Sequence, residues 1–473
     1  MLYDELKKFY LLNPDENGML VFHTSILNFP DEMLEKIVEE IPWKWVFPEN
    51  VYYELQFLRK SSVFGKKVGL VFRLGKKRKA VYIEGNLEEF YYSQAPLTAL
   101  GTSKTVRLIF IFGDQLKLKE FLKNVSEKEN YYVFFHNRWE HTQYSSDECI
   151  ASVKVARQWL RLLDCVGHVK TIRNGAREKI KIDSVQKVTS KGIGGKEIAE
   201  YSKAECVGEG GESKVYGISE QEDIVLKIFK EYPSSNHLKK MEYLMLLQQG
   251  AKFRGREQVE LPKGLLYNGG KLVGIAVKRI SGNSLTDAMV DTSIEFDIAE
   301  VLQDLALVML ELNLCHMLVV DLDGDNIILD KNKKMHLIDT DSFQLMHYGA
   351  GVCMRPHYMH KELVGKQGNF MIEPRYQDFA FGVLMFKLLV CGTYSPLFQK
   401  AALDAASENR LFWGTYEFPY KVAEYEEMEV NAICLEKWKG VPVILQKAFV
   451  EAFTFKKDFS IGYWMHIFLE AMK

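Results

Sequence analysis

The stretch from Val319 to Asp341 limits most tightly what this chain can become. Val319-Val320-Asp321-Leu322-Asp323-Gly324-Asp325-Asn326-Ile327-Ile328-Leu329 is followed by Leu337-Ile338-Asp339-Thr340-Asp341. Its flanks are apolar and strand-like, yet they enclose carboxylates that would be costly to bury without partners. Asn326 lies five positions after Asp321, and Asp339 thirteen after Asn326. Polar residues held between apolar strands at such spacings need partners that a solvated loop would not supply. An acid-rich loop can also hold calcium, but the alternation of an EF-hand closing on glutamate is missing.

The 473 residues suit two to four domains. A composition of 47% hydrophobic and 26% charged residues excludes long disorder. Lys plus Arg (61) nearly cancels Asp plus Glu (63), so bulk charge advertises neither nucleic acid nor a membrane surface. The most apolar run, Val301 to Val320, is interrupted by Asp304 and Glu311, and no membrane span is expected. The first residues lack a basic flank followed by an apolar run, which argues against a signal peptide. The seven cysteines are dispersed without a CxxC pair. That spacing argues against a disulfide frame or zinc site and for a reducing cytoplasm.

A polar, glycine-bearing stretch between Lys181 and Tyr201 divides the chain. We expect an N-terminal α+β domain over 1–185, a linker over 186–200 and a second domain over 201–473. In the first, Asp31 to Glu40 has helical spacing. Val51 to Arg59, Lys67 to Leu74 and Arg78 to Glu84 read as alternating antiparallel strands, turned at Gly75-Lys76-Lys77. Val106 to Phe112 and Tyr131 to His136 suit more buried strands, and Asp147 to Cys165 a long amphipathic helix. Lys76-Lys77-Arg78-Lys79 reads as a solvated turn rather than a phosphate grip. His136 and His141, five apart, do not share a helical face as metal ligands would.

Downstream, other features fall in order. Val207-Gly208-Glu209-Gly210-Gly211-Glu212-Ser213-Lys214-Val215-Tyr216 is a glycine-rich hairpin whose amides lack Cβ shielding. Lys227 interrupts the apolar strand Ile224 to Phe229, and its ammonium needs water or a partner. His237 to Gln249 is helical and carries Glu242. Val277-Lys278-Arg279-Ile280 leads from a strand into a glycine turn at Gly282. Arg355 to Leu363 includes Tyr358-Met359 and Glu362, and Asp378 to Gly392 is a hydrophobic helix followed by Ser395-Pro396.

Together these segments, over about 270 residues, resemble the protein kinase superfamily, in particular bacterial-type serine/threonine protein kinase-like domains. The resemblance implies a bilobal α+β fold, with a small β-rich lobe over 201–276 and a large helical lobe over 277–473. It implies that Gly208, Gly210, Gly211, Ser213 and Val215 cover ATP phosphates, with Lys227 on the α- and β-phosphates and paired to Glu242. Val277, Lys278 and Ile280 would border the adenine. Asp321 would orient the acceptor hydroxyl and take its proton, while Asn326 and Asp339 hold Mg2+. A protein substrate is implied as partner. Departures are also present: Val319 and Val320 replace histidine and arginine, Asp323 replaces a lysine, and Thr340-Asp341 replaces phenylalanine-glycine. An acid at 323 weakens transition-state stabilisation unless it is compensated. Two alternatives stay open, a nucleotide-binding pseudokinase acting as scaffold and a small-molecule phosphotransferase.

Overall fold

The computed structural model describes residues 2–12, 18–83, 107–113, 117–118, 121–122, 131–135, 149–154, 156–157, 178–219, 221–249, 258–345, 358–363, 372–392, 418–425 and 430–473. His136, His141, Arg355 and Ser395-Pro396 lie outside them. The fold is mixed α/β. Its first unit runs α1 (Leu2–Leu12), β1 (Gly18–Phe22), α2 (Asp31–Glu40), β2 (Lys44–Pro48), α3 (Glu49–Leu58), α4 (Gly65–Lys77), β3 (Val81–Ile83), β4 (Arg107–Phe112), β5 (Tyr131–Phe135) and β6 (Cys149–Ser152). The strands form one six-stranded sheet in the order β3-β2-β1-β4-β5-β6. All neighbours are parallel except the β5–β6 pair. That order is the one found in doubly wound α/β sheets.

This corrects the antiparallel reading of the N-terminal unit. Val51 to Leu58 and Lys67 to Leu74 lie in α3 and α4, with Arg59 as the C-cap of α3. Val51, Glu54, Leu55 and Leu58 are buried at the i, i+3, i+4, i+7 spacing of one helical face, as are Val68, Val71 and Leu74 at its near-equivalent. Tyr and Phe scattered between them imitate alternation over a short window. Gly75-Lys76-Lys77 ends α4, where Lys76 and Lys77 oppose the negative end of the helix dipole. Asp31 to Glu40 is helical as expected. Of the helix expected over Asp147 to Cys165, the described residues place Cys149–Ser152 in β6 and helical residues at 153–154 and 156–157; the rest lies outside the described residues.

The second unit contains β7 (Lys187–Lys191), β8 (Glu197–Glu209), β9 (Ser213–Ile218), β10 (Ile224–Phe229), α5 (Ser235–Gln249), β11 (Gly264–Asn268) and β12 (Lys271–Lys278). Its strands close a barrel in the order β10-β12-β11-β7-β8-β9, antiparallel at every described pair. The expected linker is therefore strand. Val188 and Ser190 alternate inward from β7, and Gly194 and Gly195 turn the chain into β8 with φ of 71° and 77°. Short polar strands hide easily from composition.

The remainder holds β13 (Gly282–Ser284), α6 (Leu285–Val290), α7 (Ile298–Leu314), β14 (Met317–Leu318), β15 (Ile327–Asp330), β16 (Met335–Leu337), β17 (Gln344–Leu345), α8 (Pro374–Phe386), α9 (Ala432–Gly440), α10 (Val443–Phe453) and α11 (Ile461–Ala471). Ser284 caps α6 in a reciprocal box with Asp287, which fixes the chain as it leaves the barrel.

The N-terminal sheet does not stand apart from these helices. Its α3 packs on α7 and α11, and one apolar cluster includes Leu20, Leu55, Leu305 and Trp464. Polar ties cross the seam. Ser61 Oγ donates to Glu311, Asn28 Nδ2 to the Leu314 carbonyl at 3.1 Å, and Lys60 Nζ to Gln303 at 2.9 Å. The Tyr53 ring stacks on His466 with centroids 3.8 Å apart. A small cavity at the ends of β1 and β4 is lined by His23, Thr24, Glu54 and Lys117 on one side and by Asn313 and Leu318 on the other.

Glu54 is buried in this seam, and burial lifts its carboxyl above the usual range. Lys117 and hydrogen bonds from Thr24 and Ser460 oppose that rise only partly. A raised folded-state value makes the stabilising contribution full below the unfolded value and loses it as pH rises through the folded one. Melting temperature measured from pH 4 upward should therefore fall for the native chain relative to Glu54→Gln as pH increases. The two should converge at acid pH. Parallel curves would show that Glu54 carries no such linkage.

Candidate functional site

The site lies where β10 of the barrel meets the loops that follow β14 and β16. Lys227 sits mid-strand, opposite Val215 of β9 and Ile275 of β12. Gly274 lets β12 pass close, since a Cβ there would collide with the Lys227 carbonyl. The Lys227 side chain is only 13% exposed, and its Nζ binds Asp339 Oδ1 and, at 2.6 Å, Asp341 Oδ1. Burial works against its charge, but Asp341 and Asp339 more than offset this and hold the ammonium well above the ordinary lysine range.

The two carboxylates come from one 3-10 turn, Thr340–Ser342, entered through Asp339 in the left-handed region (φ 64°, ψ 37°). Aspartate tolerates that region better than most residues. Thr340 Oγ1 donates to the Glu260 carbonyl at 2.8 Å, and Ser342 Oγ to that of Asp339 at 2.7 Å. Asp341 stays below the usual carboxylate range despite its burial, held there by Lys227 and by the charges of His237 and Lys240. Asp339 is shifted the other way, by burial and by the neighbouring Asp341 charge.

Asp321 and Asn326 lie on the adjoining loop. Asn326 Nδ2 donates to the Asp321 carbonyl at 2.9 Å and to its Oδ2 at 3.1 Å. The Ile338 amide donates to the Asn326 carbonyl at 2.9 Å, which ties this loop to the Asp339 turn. Asp323 is buried and accepts from the Asp325 amide at 2.9 Å, capping a single turn. Val319 and Val320 are buried. The Val319 amide donates to Gln377 Oε1 of α8 at 2.7 Å. Asp378, next to it on α8, approaches Lys117 of the N-terminal unit at 4.0 Å.

The glycine-rich segment forms the β8–β9 hairpin. The Gly210 amide donates to the Ser213 carbonyl at 2.9 Å, and Gly208 pairs with Val215. A Cβ on Gly211 would meet nothing, so the hairpin tip is open on that side. Val277 and Lys278 end β12 opposite Val225 and Ile224, and half-buried Ile280 follows in the exit toward β13. Glu362 accepts from Arg375 Nη2 at 2.6 Å and from the Tyr376 hydroxyl at 3.0 Å.

One expected pairing is not formed. Glu242 is half-buried on α5, and its charge acts on the Tyr267 phenol of β11. The α5 residue that reaches the site is Lys240, whose Nζ donates to the Asp341 carbonyl at 2.6 Å. Burial lowers its ammonium to about 8, against the pull of Asp341. Residues two apart on a helix diverge by roughly 200°, so Lys240 and Glu242 cannot share a face. Lys240 was legible only as part of the inward set with Met241, Leu244 and Met245, and Asp341 only as a second acid two residues after Asp339.

Asn326 and Asp339 offer an amide and a carboxylate, hard oxygen donors of the kind magnesium takes. No group of three or more His, Cys, Asp and Glu residues arranged to hold a metal occurs among the described residues. Magnesium usually keeps waters and substrate phosphates as its remaining ligands, so a sparse protein set fits it better than it fits calcium. No helix among the described residues is long and apolar enough to cross a membrane. No model of a known protein family matches the chain, and no curated protein matches it.

Proposed function

We propose that this chain is a protein kinase that transfers the γ-phosphate of ATP to serine or threonine hydroxyls, with magnesium. One observation carries the reading. A strand lysine from a glycine-covered barrel meets the Asp339 turn, and that turn is hydrogen-bonded to the loop bearing Asp321 and Asn326. Lys227 supplies fixed positive charge for phosphate oxygens, and Asp321 orients the acceptor hydroxyl and accepts its proton. Asn326 and Asp339 would hold the magnesium, which neutralises charge developing on the phosphates. The open glycine tip allows backbone amides to approach phosphate. Asp323 spends its carboxylate on the Asp325 amide, which lessens its conflict with a transferring phosphate.

A second reading, a nucleotide-binding scaffold, draws support from the N-terminal sheet being docked on the helices by a buried apolar seam. The test compares transfer from labelled ATP with magnesium for native chain and Asp339→Ala, with nucleotide-induced melting shifts alongside. Label in the native chain only, on itself or a generic protein acceptor, supports the kinase. A melting shift with no label in either favours the scaffold. Absence of both signals rejects a nucleotide site.

A further inference from the structure

Three arrangements outside the assigned roles stand out: the seam cavity beside Glu54, the Glu362–Arg375–Tyr376 cluster, and Asp341 with Lys240. The last is carried furthest, because it concerns how the central lysine is held. Lys227 touches two acids from one turn, and they cannot serve the same purpose. If Asp339 turns to magnesium when nucleotide binds, its contact with Lys227 weakens, and another carboxylate must keep the ammonium aimed. The ion pairs of Lys227 are with Asp339 and Asp341, and Glu242 forms none with it.

We propose that Asp341 is the positioning residue for Lys227, and that Lys240 links helix α5 to it. This rests on the kinase reading above and assigns the helix-glutamate role to the turn after β16. Asp341 Oδ1 lies 2.6 Å from Lys227 Nζ, and the Asp341 carbonyl accepts from Lys240 Nζ at the same distance. The flanking residues leave the turn little freedom, because Thr340 is anchored to Glu260 and Ser342 to Asp339. An ammonium has three N–H donors, so Lys227 can keep Asp341 while its others reach phosphate oxygens. The carboxylate that orients the lysine and the carboxylate that meets the metal thus travel on one turn. Movement of α5 would reach Lys227 through the Lys240 hydrogen bond to the Asp341 backbone, and its His237 also meets Phe229 of the Lys227 strand.

The test uses the full chain with Asp341→Asn, Asp341→Glu, Lys240→Met and Glu242→Gln. Transfer kinetics are read against ATP and magnesium separately, and acylation of Lys227 is followed by peptide mass in the absence of nucleotide. Asp341→Asn should lower kcat/KM for ATP about 10- to 100-fold, as expected for losing a charge-assisted hydrogen bond at a phosphate-binding lysine. Its magnesium half-saturation should stay unchanged, Asp341→Glu should recover part of the loss, and Glu242→Gln should stay within about twofold of native. Lys227 should acylate several-fold faster in Asp341→Asn and Lys240→Met but not in Glu242→Gln.

Native-like ATP kinetics and acylation in Asp341→Asn would overturn the assignment. So would a raised magnesium requirement with unchanged KM for ATP, since that marks a metal ligand. Absence of ATP turnover in the native chain would reject the kinase reading, and the acylation series would still decide whether Asp341 holds Lys227.

Discussion

Asp321→Asn is expected to lower phosphate transfer about 10²- to 10⁴-fold, the range that a positioned general base contributes, while nucleotide-induced melting shifts persist. The substitution is close to isosteric. Asn326 Nδ2 keeps its 2.9 Å bond to the backbone carbonyl of residue 321, and the new amide oxygen can still accept the 3.1 Å bond that Oδ2 takes now. The loop is held from below by Gln377 on the Val319 amide and from the side by Ile338 on Asn326, neither of which involves the Asp321 carboxylate. Fold and ATP binding should therefore survive, and the loss should fall on kcat. Measured turnover equal to native would remove Asp321 from the mechanism. Loss of ATP binding along with turnover would assign it to the phosphate or metal contacts instead.

The second large effect concerns the seam. A Cβ on Gly462, in the first turn of α11, would lie 2.6 Å from Glu54 Cγ and 2.7 and 2.9 Å from the Glu54 backbone N and Cα. Helices α3 and α11 approach so closely there that backbone, not a flexible side chain, would have to give. Overpacking of this kind costs about 1–3 kcal/mol. At roughly 2–4 °C per kcal/mol for a cooperative unit of 150–250 residues, Gly462→Ala should melt several degrees lower than native. Gly69→Ala supplies the comparison, because that glycine sits on the exposed side of α4 with nothing within 4 Å. Relief of glycine's conformational entropy there should stabilise by about 0.5–1 kcal/mol. Calorimetry that finds the two variants equal would mean that α3 and α11 do not meet as described. A drop in the melting of the whole chain, rather than in a separate early step, would mark the sheet and the helices as one cooperative core.

Four residues of the candidate site stand out in the sequence for one physical reason. Lys227, Asp321, Asn326 and Asp339 are polar residues embedded in apolar strand context, and such residues stand out because burial without a partner is costly. The partners themselves were less legible. Glu242 beside leucines reads as an inward-leaning helix acid, yet the face is set by which of 240 to 245 meets the barrel. Gln377 is less conspicuous in the sequence than Asp378 beside it, although its amide, with both a donor and an acceptor, is what a buried backbone N–H requires.

The chain's own pattern determined the helix at Asp31–Glu40, the buried strands β4 and β5, the glycine hairpin, the Lys227 strand and the carboxylate loops, because each is written in consecutive residues with one period. The tertiary structure decided what no local window contains. It made helices of Val51–Leu58 and Val68–Leu74 by giving their apolar face a sheet and two further helices to cover. It turned the supposed linker at 186–200 into barrel strands by supplying β11 as hydrogen-bond partner. It also gave Lys227 to Asp341 rather than Glu242. Short segments have nearly degenerate local preferences, and the choice among them falls to whichever burial and pairing the rest of the chain offers.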